Sequence, residues 1–70
     1  MNITYDHKTD LLYIRFDSRK QQVRNERVAD NIVLDLGKDD RIVGIEILDA
    51  SRSLKLEGIL PINFEIPETV

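Results

Sequence analysis

Cysteine is absent from this chain. A disulfide framework, a thiol nucleophile and a cysteine-ligated metal are therefore excluded, and a reducing compartment fits. Long apolar runs are also missing: nothing approaches the roughly 18 consecutive apolar residues of a membrane span. The opening residues, MNITYDHKTD, lack the basic-then-apolar plan of a secretory signal. The expectation is a cytoplasmic protein with no membrane partner. Histidine occurs once, as His7, in a polar stretch that reads as an exposed turn. No phosphate loop, dinucleotide glycine motif, zinc spacing or nucleophile elbow is present. Asp39 and Asp40 beside Gly37 fall short of the longer ordered set of oxygens that a calcium loop needs. The sequence thus predicts no catalytic residue, no cofactor and no metal, and argues against a hydrolase, nuclease or metalloenzyme.

An excess of positive charge is lacking too. Ten basic and thirteen acidic side chains give a net charge of −3. That balance disfavours a free-standing nucleic-acid binder, whose affinity rests largely on phosphate neutralisation, and it is an ordinary charge for solubility. The 70 residues allow one domain with a modest core, marginal alone without a staple or a partner.

What is present is alternation. RIVGIEILDA, residues 41–50, is the longest apolar run. Extended, it places Val43, Ile45 and Ile47 on one side and Ile42, Gly44, Glu46 and Leu48 on the other, the pattern of a central strand. Residues 2–5 and 11–16 alternate likewise across the polar DHKTD and read as a hairpin. Residues 17–27 are the least apolar part, and a structureless loop of that length is uncommon, so a ragged strand near 22–28 is expected. Ala29 to Asn31 form a turn, Ile32 to Leu36 a strand, and GKDDR the next turn. Asp49 is placed to cap a helix over ASRSLKLE that ends at Gly58. The fold class is α+β: a small antiparallel β-meander of four or five strands, one short C-terminal helix and an extended tail. The domain spans residues 1–58. The tail, 59–70, carries Ile62, Phe64 and Ile66 at period two between Pro61 and Pro67, which suits packing on the domain or on a partner subunit. The expected core is Ile3, Tyr5, Leu12, Ile14, Phe16, Ile32, Leu34, Val43, Ile45 and Ile47.

The succession Tyr5-Asp6, Asp10, Leu12-Tyr13-Ile14, Asn31-Ile32, Asp35, Val43-Gly44-Ile45-Glu46-Ile47-Leu48 and Ala50-Ser51 resembles a family of small, mostly prokaryotic proteins, domain of unknown function 2283. The resemblance covers about residues 2 to 51. Leu11 departs from it, standing where the family often has alanine; this adds an apolar side chain to the outer face. The resemblance implies a small β-meander ending in a short helix and carries no established catalytic residues. Members look like compact accessory proteins, which leaves an antitoxin-like role open.

Two constellations remain. In a meander, Tyr13, Arg15, Asp35 and Glu46 share the side opposite the aliphatic one. They read as cross-strand ion pairing, with Arg15 neutralising Asp35 or Glu46, or as a small-molecule or weak enzymatic site. Arg19, Lys20, Arg24 and Arg27 form a basic stretch that could meet phosphates. No aromatic is interleaved for base stacking, and the local excess is only two charges. The sequence does not determine a biochemical function. The reading it favours is a non-enzymatic protein-interaction module that self-associates as a homo-oligomer, a dimer above all, and takes a protein partner. The alternatives are a ligand site on the polar face and nucleic-acid binding through the basic stretch.

Overall fold

The computed structural model describes residues 1–58. They form five strands: β1 (Asn2–Asp6), β2 (Leu11–Arg15), β3 (Arg24–Ala29), β4 (Ile32–Leu36) and β5 (Ile42–Ile47). A single-turn helix, α1 (Ala50–Ser53), and a 3-10 turn at Leu56–Gly58 follow. The expectation for the tail lies outside the described residues.

The strands make one antiparallel sheet in the order β1-β2-β5-β4-β3. The meander β3-β4-β5 doubles back, so that β5 pairs with β2 and becomes the central strand, as its two-sided apolar pattern predicted. Strands β2 to β5 thereby form a Greek key, with residues 16–23 carrying the chain from the middle of the sheet to its far edge. The ragged third strand is real, and all its residues are exposed at that edge.

Aspartate builds the turns. Asp10, Asp39, Asp40 and Asp49 take left-handed backbone angles (φ 51–59°), and no glycine does. Aspartate tolerates this region because its short carboxylate can bond locally. Between β1 and β2, the Lys8 N–H donates to Asp6 Oδ1 at 2.9 Å. Between β4 and β5, the Gly37 N–H donates to the Arg41 carbonyl at 2.8 Å around a 3-10 turn at Lys38–Asp40.

Register fixes the faces. Ile3 faces Ile14, Tyr5 faces Leu12, Ile14 faces Ile45, Leu12 faces Ile47, Leu34 faces Ile45 and Ile32 faces Ile47. One side of the sheet is therefore aliphatic across four strands. Of these side chains Leu12 alone is buried; the others are half-buried. Contacts between elements are mainly those of paired strands, so no second layer packs over that side among the described residues. The expected core is thus right in its facing but half-covered. Phe16 is a plain correction: it is 47 % exposed. Its N–H and that of Asp17 both donate to the Val43 carbonyl, at 2.8 and 3.2 Å, so the chain bends as β2 ends. Val43 is the extra residue of a β-bulge opposite β4, and its buried side chain sits near Leu36, also buried.

The helix differs from expectation as well. It stops at Ser53, because Leu54 is extended; Gly58 closes a separate turn on Lys55. Asp49 makes no side-chain cap. The cap comes from the β1–β2 turn instead. Ala50 N–H donates to the Asp10 carbonyl at 2.9 Å, and Ser51 N–H and Oγ–H donate to the Asp10 carboxylate at 3.0 and 2.7 Å. The other flank is tied by Leu48 N–H to the Asn31 carbonyl at 2.8 Å and by Asn31 Nδ2 to Ser53 Oγ at 2.7 Å. The helix closes the end of the sheet and fully buries Ala50. No described helix is long and apolar enough to cross a membrane.

Candidate functional site

The polar side of the sheet is organised around a missing side chain. Gly44 on β5 faces Arg15 on β2 and Asp35 on β4. A Cβ there would lie 2.8 Å from the Tyr13 ring carbon Cζ and 3.0 Å from the Ile14 carbonyl oxygen. The bare backbone lets the Tyr13 ring lie across β5, and its hydroxyl donates to Asp35 Oδ2 at 2.9 Å. Asn25 on β3 donates to Asp35 Oδ1 at 2.5 Å. Asp35, only 7 % exposed, thus has each oxygen engaged by a neutral donor. Burial, then the bond to Asp35, pushes the Tyr13 phenol up, so it stays a donor.

Glu46 stands opposite Tyr13 and Val33 in the same layer. Burial pushes its carboxyl above the ordinary glutamate value, and the bond to Asp35 and that residue's charge add to the shift. Three of the four expected site residues come together in this way. Arg15 does not join them. Its Nε donates to the Asp17 carbonyl at 2.9 Å and its Nη2 to the Arg19 carbonyl at 3.5 Å, so it holds the start of the long connection. The expected Arg15 neutralisation of Asp35 or Glu46 is corrected: a phenol and an amide satisfy Asp35 instead. The sequence reading missed Asn25, which alternation on β3 would have placed beside Asp35 had the strand been phased.

Neither of two shallow surface depressions is lined by Tyr13, Asp35 or Glu46. One is lined by residues 21–24 and 36–38, the other by Arg19, Lys20, Gln21 and Lys38. Among the described residues no cluster of three His, Asp or Glu side chains could hold a metal ion.

The basic stretch is largely paired internally. Arg19 makes a two-pronged contact with Asp17, at 3.0 and 2.8 Å. Arg24 meets Asp40 at 2.6 Å, and Arg27 donates to the Asp30 carbonyl. Lys20 has no such contact among the described residues. Hydrogen bonds from the Arg19 side chain and backbone hold the Asp17 carboxyl well below the usual range.

A second polar cluster was not foreseen. Tyr5 Oη donates to Asp10 Oδ1 at 2.7 Å, and the same carboxylate caps α1 through Ser51. The Ser51 hydroxyl, then Tyr5, hold Asp10 below its ordinary value.

The fold and these clusters define a small α+β domain: one antiparallel sheet, a helix tied across its end, and on its polar side a buried Asp35 bonded by Tyr13 and Asn25. The chain belongs to the family described as Protein of unknown function (DUF2283), which matches residues 2–51. The residues of both clusters fall within that match. The chain is also 40% identical over 52 residues to a protein of Methanosarcina mazei named "Putative hypoxanthine phosphoribosyltransferase". The alignment covers 74% of this chain and 41% of that protein, so the chain spans about two fifths of its length. No solved structure matches the chain.

Proposed function

We propose that this chain is a non-enzymatic protein-interaction module that self-associates and buries the aliphatic side of its sheet against protein. One observation carries the reading: across β1, β2, β5 and β4 that side is continuous, yet among the described residues Ile3, Ile14, Ile32, Leu34, Ile45 and Ile47 on it are only half-buried. Water-soluble chains seldom leave so large an apolar surface uncovered, and two-fold association is the commonest cover. The test is light scattering and sedimentation of the full-length chain, alone and as Leu34→Lys. The wild type is expected to sediment as more than one chain, and the lysine variant to form smaller assemblies than the wild type while keeping its β-sheet circular dichroism. A mass that stays near 8.1 kDa at high micromolar concentration would overturn the reading.

A second reading, a small-molecule site on the polar side, rests on Glu46, which burial and Asp35 hold towards its neutral form. A role in phosphoribosyl transfer, suggested by the archaeal relative's name, draws less support. Of the four cations that line the surface depressions, Arg19 and Arg24 already meet Asp17 and Asp40, while Lys20 and Lys38 have no ion pair among the described residues. The same pairing weakens the case for nucleic-acid contact through residues 17–27.

A further inference from the structure

The two edges of the sheet are built differently. β3, at one edge, carries Arg24, Glu26 and Arg27 and a bulge at Val28. Charges and bulges are the usual protections against edge-to-edge pairing. β1, at the other edge, has none of these over Asn2 to Thr4; its only charge is the terminal Asp6. It is regular over all five residues, with every one paired to β2 in unbroken register. No described residue pairs with its outer edge.

β1 is also complementary to itself. Antiparallel pairing of a strand with a copy keeps like faces together only when the two paired residue numbers sum to an even value. The register that pairs all five residues puts Thr4 on the two-fold axis. Ile3 then meets Tyr5 of the copy, twice over, and Asn2 meets Asp6. Threonine against threonine and a β-branched residue against an aromatic are favourable cross-strand pairs. No like charges oppose one another. β3 fails the same test: its two best-overlapped even registers put Glu26 against Glu26 or Arg27 against Arg27 on the axis. Ile3 and Tyr5 lie at the rim of the aliphatic side and are half-buried, so this junction covers their free flanks. It also joins the two aliphatic sides into one continuous surface.

We infer that a second copy of this chain pairs antiparallel along β1, about a two-fold axis at Thr4, to make a continuous ten-stranded sheet. This rests on the self-association proposed above and adds a contact to it: the edge joins two chains, and the joined aliphatic side is the surface that further protein covers.

The absence of cysteine makes the test clean. Single variants Thr4→Cys, Glu26→Cys and Ile45→Cys report on the β1 edge, the β3 edge and stacking of aliphatic faces. Each is oxidised mildly in the full chain, with its mass by light scattering and its melting curve under reducing conditions measured alongside. On the proposed axis the two residue-4 Cα atoms stand about 4.5–5.5 Å apart, inside the disulfide range. Thr4→Cys is expected to cross-link on the order of tenfold or more faster than the others, because thiols held together meet at millimolar effective concentration. Mixing Ile3→Cys with Tyr5→Cys chains should give the mixed disulfide in preference to either homodimer; this second pair of variants also serves if Thr4→Cys melts early. A mass of two chains with fast cross-linking only at Glu26→Cys or Ile45→Cys would overturn the β1 contact and leave self-association standing. A monomeric mass would overturn both.

Discussion

Gly44 decides the polar side of the sheet by having no side chain. Gly44→Ala sets a methyl carbon against the Tyr13 ring and the Ile14 carbonyl. The ring can tilt only by giving up its bond to Asp35, so the change should destabilise by about 1–3 kcal/mol, the usual cost of overpacking. Denaturant melts check this; a Tyr13→Leu background should recover part of the loss, since the clash goes with the ring. Arg15 is a contrasting case. Its partners are two carbonyls in the connection after β2, so Arg15→Met should cost within about 1 kcal/mol. A loss of several kcal/mol would mean that a carboxylate had been left unpaired in the interior. Asp49→Gly should stabilise by up to about 1 kcal/mol, because the residue is left-handed and its carboxylate caps nothing.

At the scale of elements, hairpin and helix are locked by one carboxylate, and acid acts on two carboxyls in opposite senses. Glu46 has its folded value raised, chiefly by burial and then by Asp35. Between its ordinary and its raised value the native state binds more protons than the unfolded one, so stability rises as pH falls through that window. Asp10 has its folded value lowered by Ser51 and Tyr5. Its contribution is present above the ordinary aspartate value and is lost as pH falls below it. Melting temperature should therefore climb on mild acidification and drop in stronger acid. Glu46→Gln should abolish the climb, as an amide can donate to Asp35 at any pH; Asp10→Asn should blunt the drop. A Glu46→Gln curve that still climbs would assign the effect to another group. Ser51→Ala removes one donor to Asp10 and should lower stability by about 0.5–1.5 kcal/mol.

For the molecule as a whole, a single sheet with one aliphatic side has too little interior of its own; Leu12, Leu36, Val43 and Ala50 are its only buried apolar residues among those described. Association that covers apolar surface and pairs backbone groups depends weakly on ionic strength, whereas association through charges is screened. Sedimentation at low and high salt should thus give nearly the same dissociation constant. A steep weakening with salt would point instead to the cations of residues 17–27 as the contact.

The sequence by itself determined the strands, their facing and most of the turns, because alternation and aspartate-rich turns are local properties of the chain. It placed Tyr13, Asp35 and Glu46 on one side for the same reason, since the period of two holds whatever the neighbour is. Tertiary structure alone decided which strands lie side by side. The pairing of β2 with β5 joins segments about thirty residues apart, and nothing local encodes it. That pairing puts Gly44 under Tyr13, brings Asp10 to the start of α1 in place of Asp49, and leaves Arg15 facing a glycine while its guanidinium turns to the chain after β2. It also decided burial: alternation tells a strand which side is apolar, but only the presence of a second layer decides whether that side is covered.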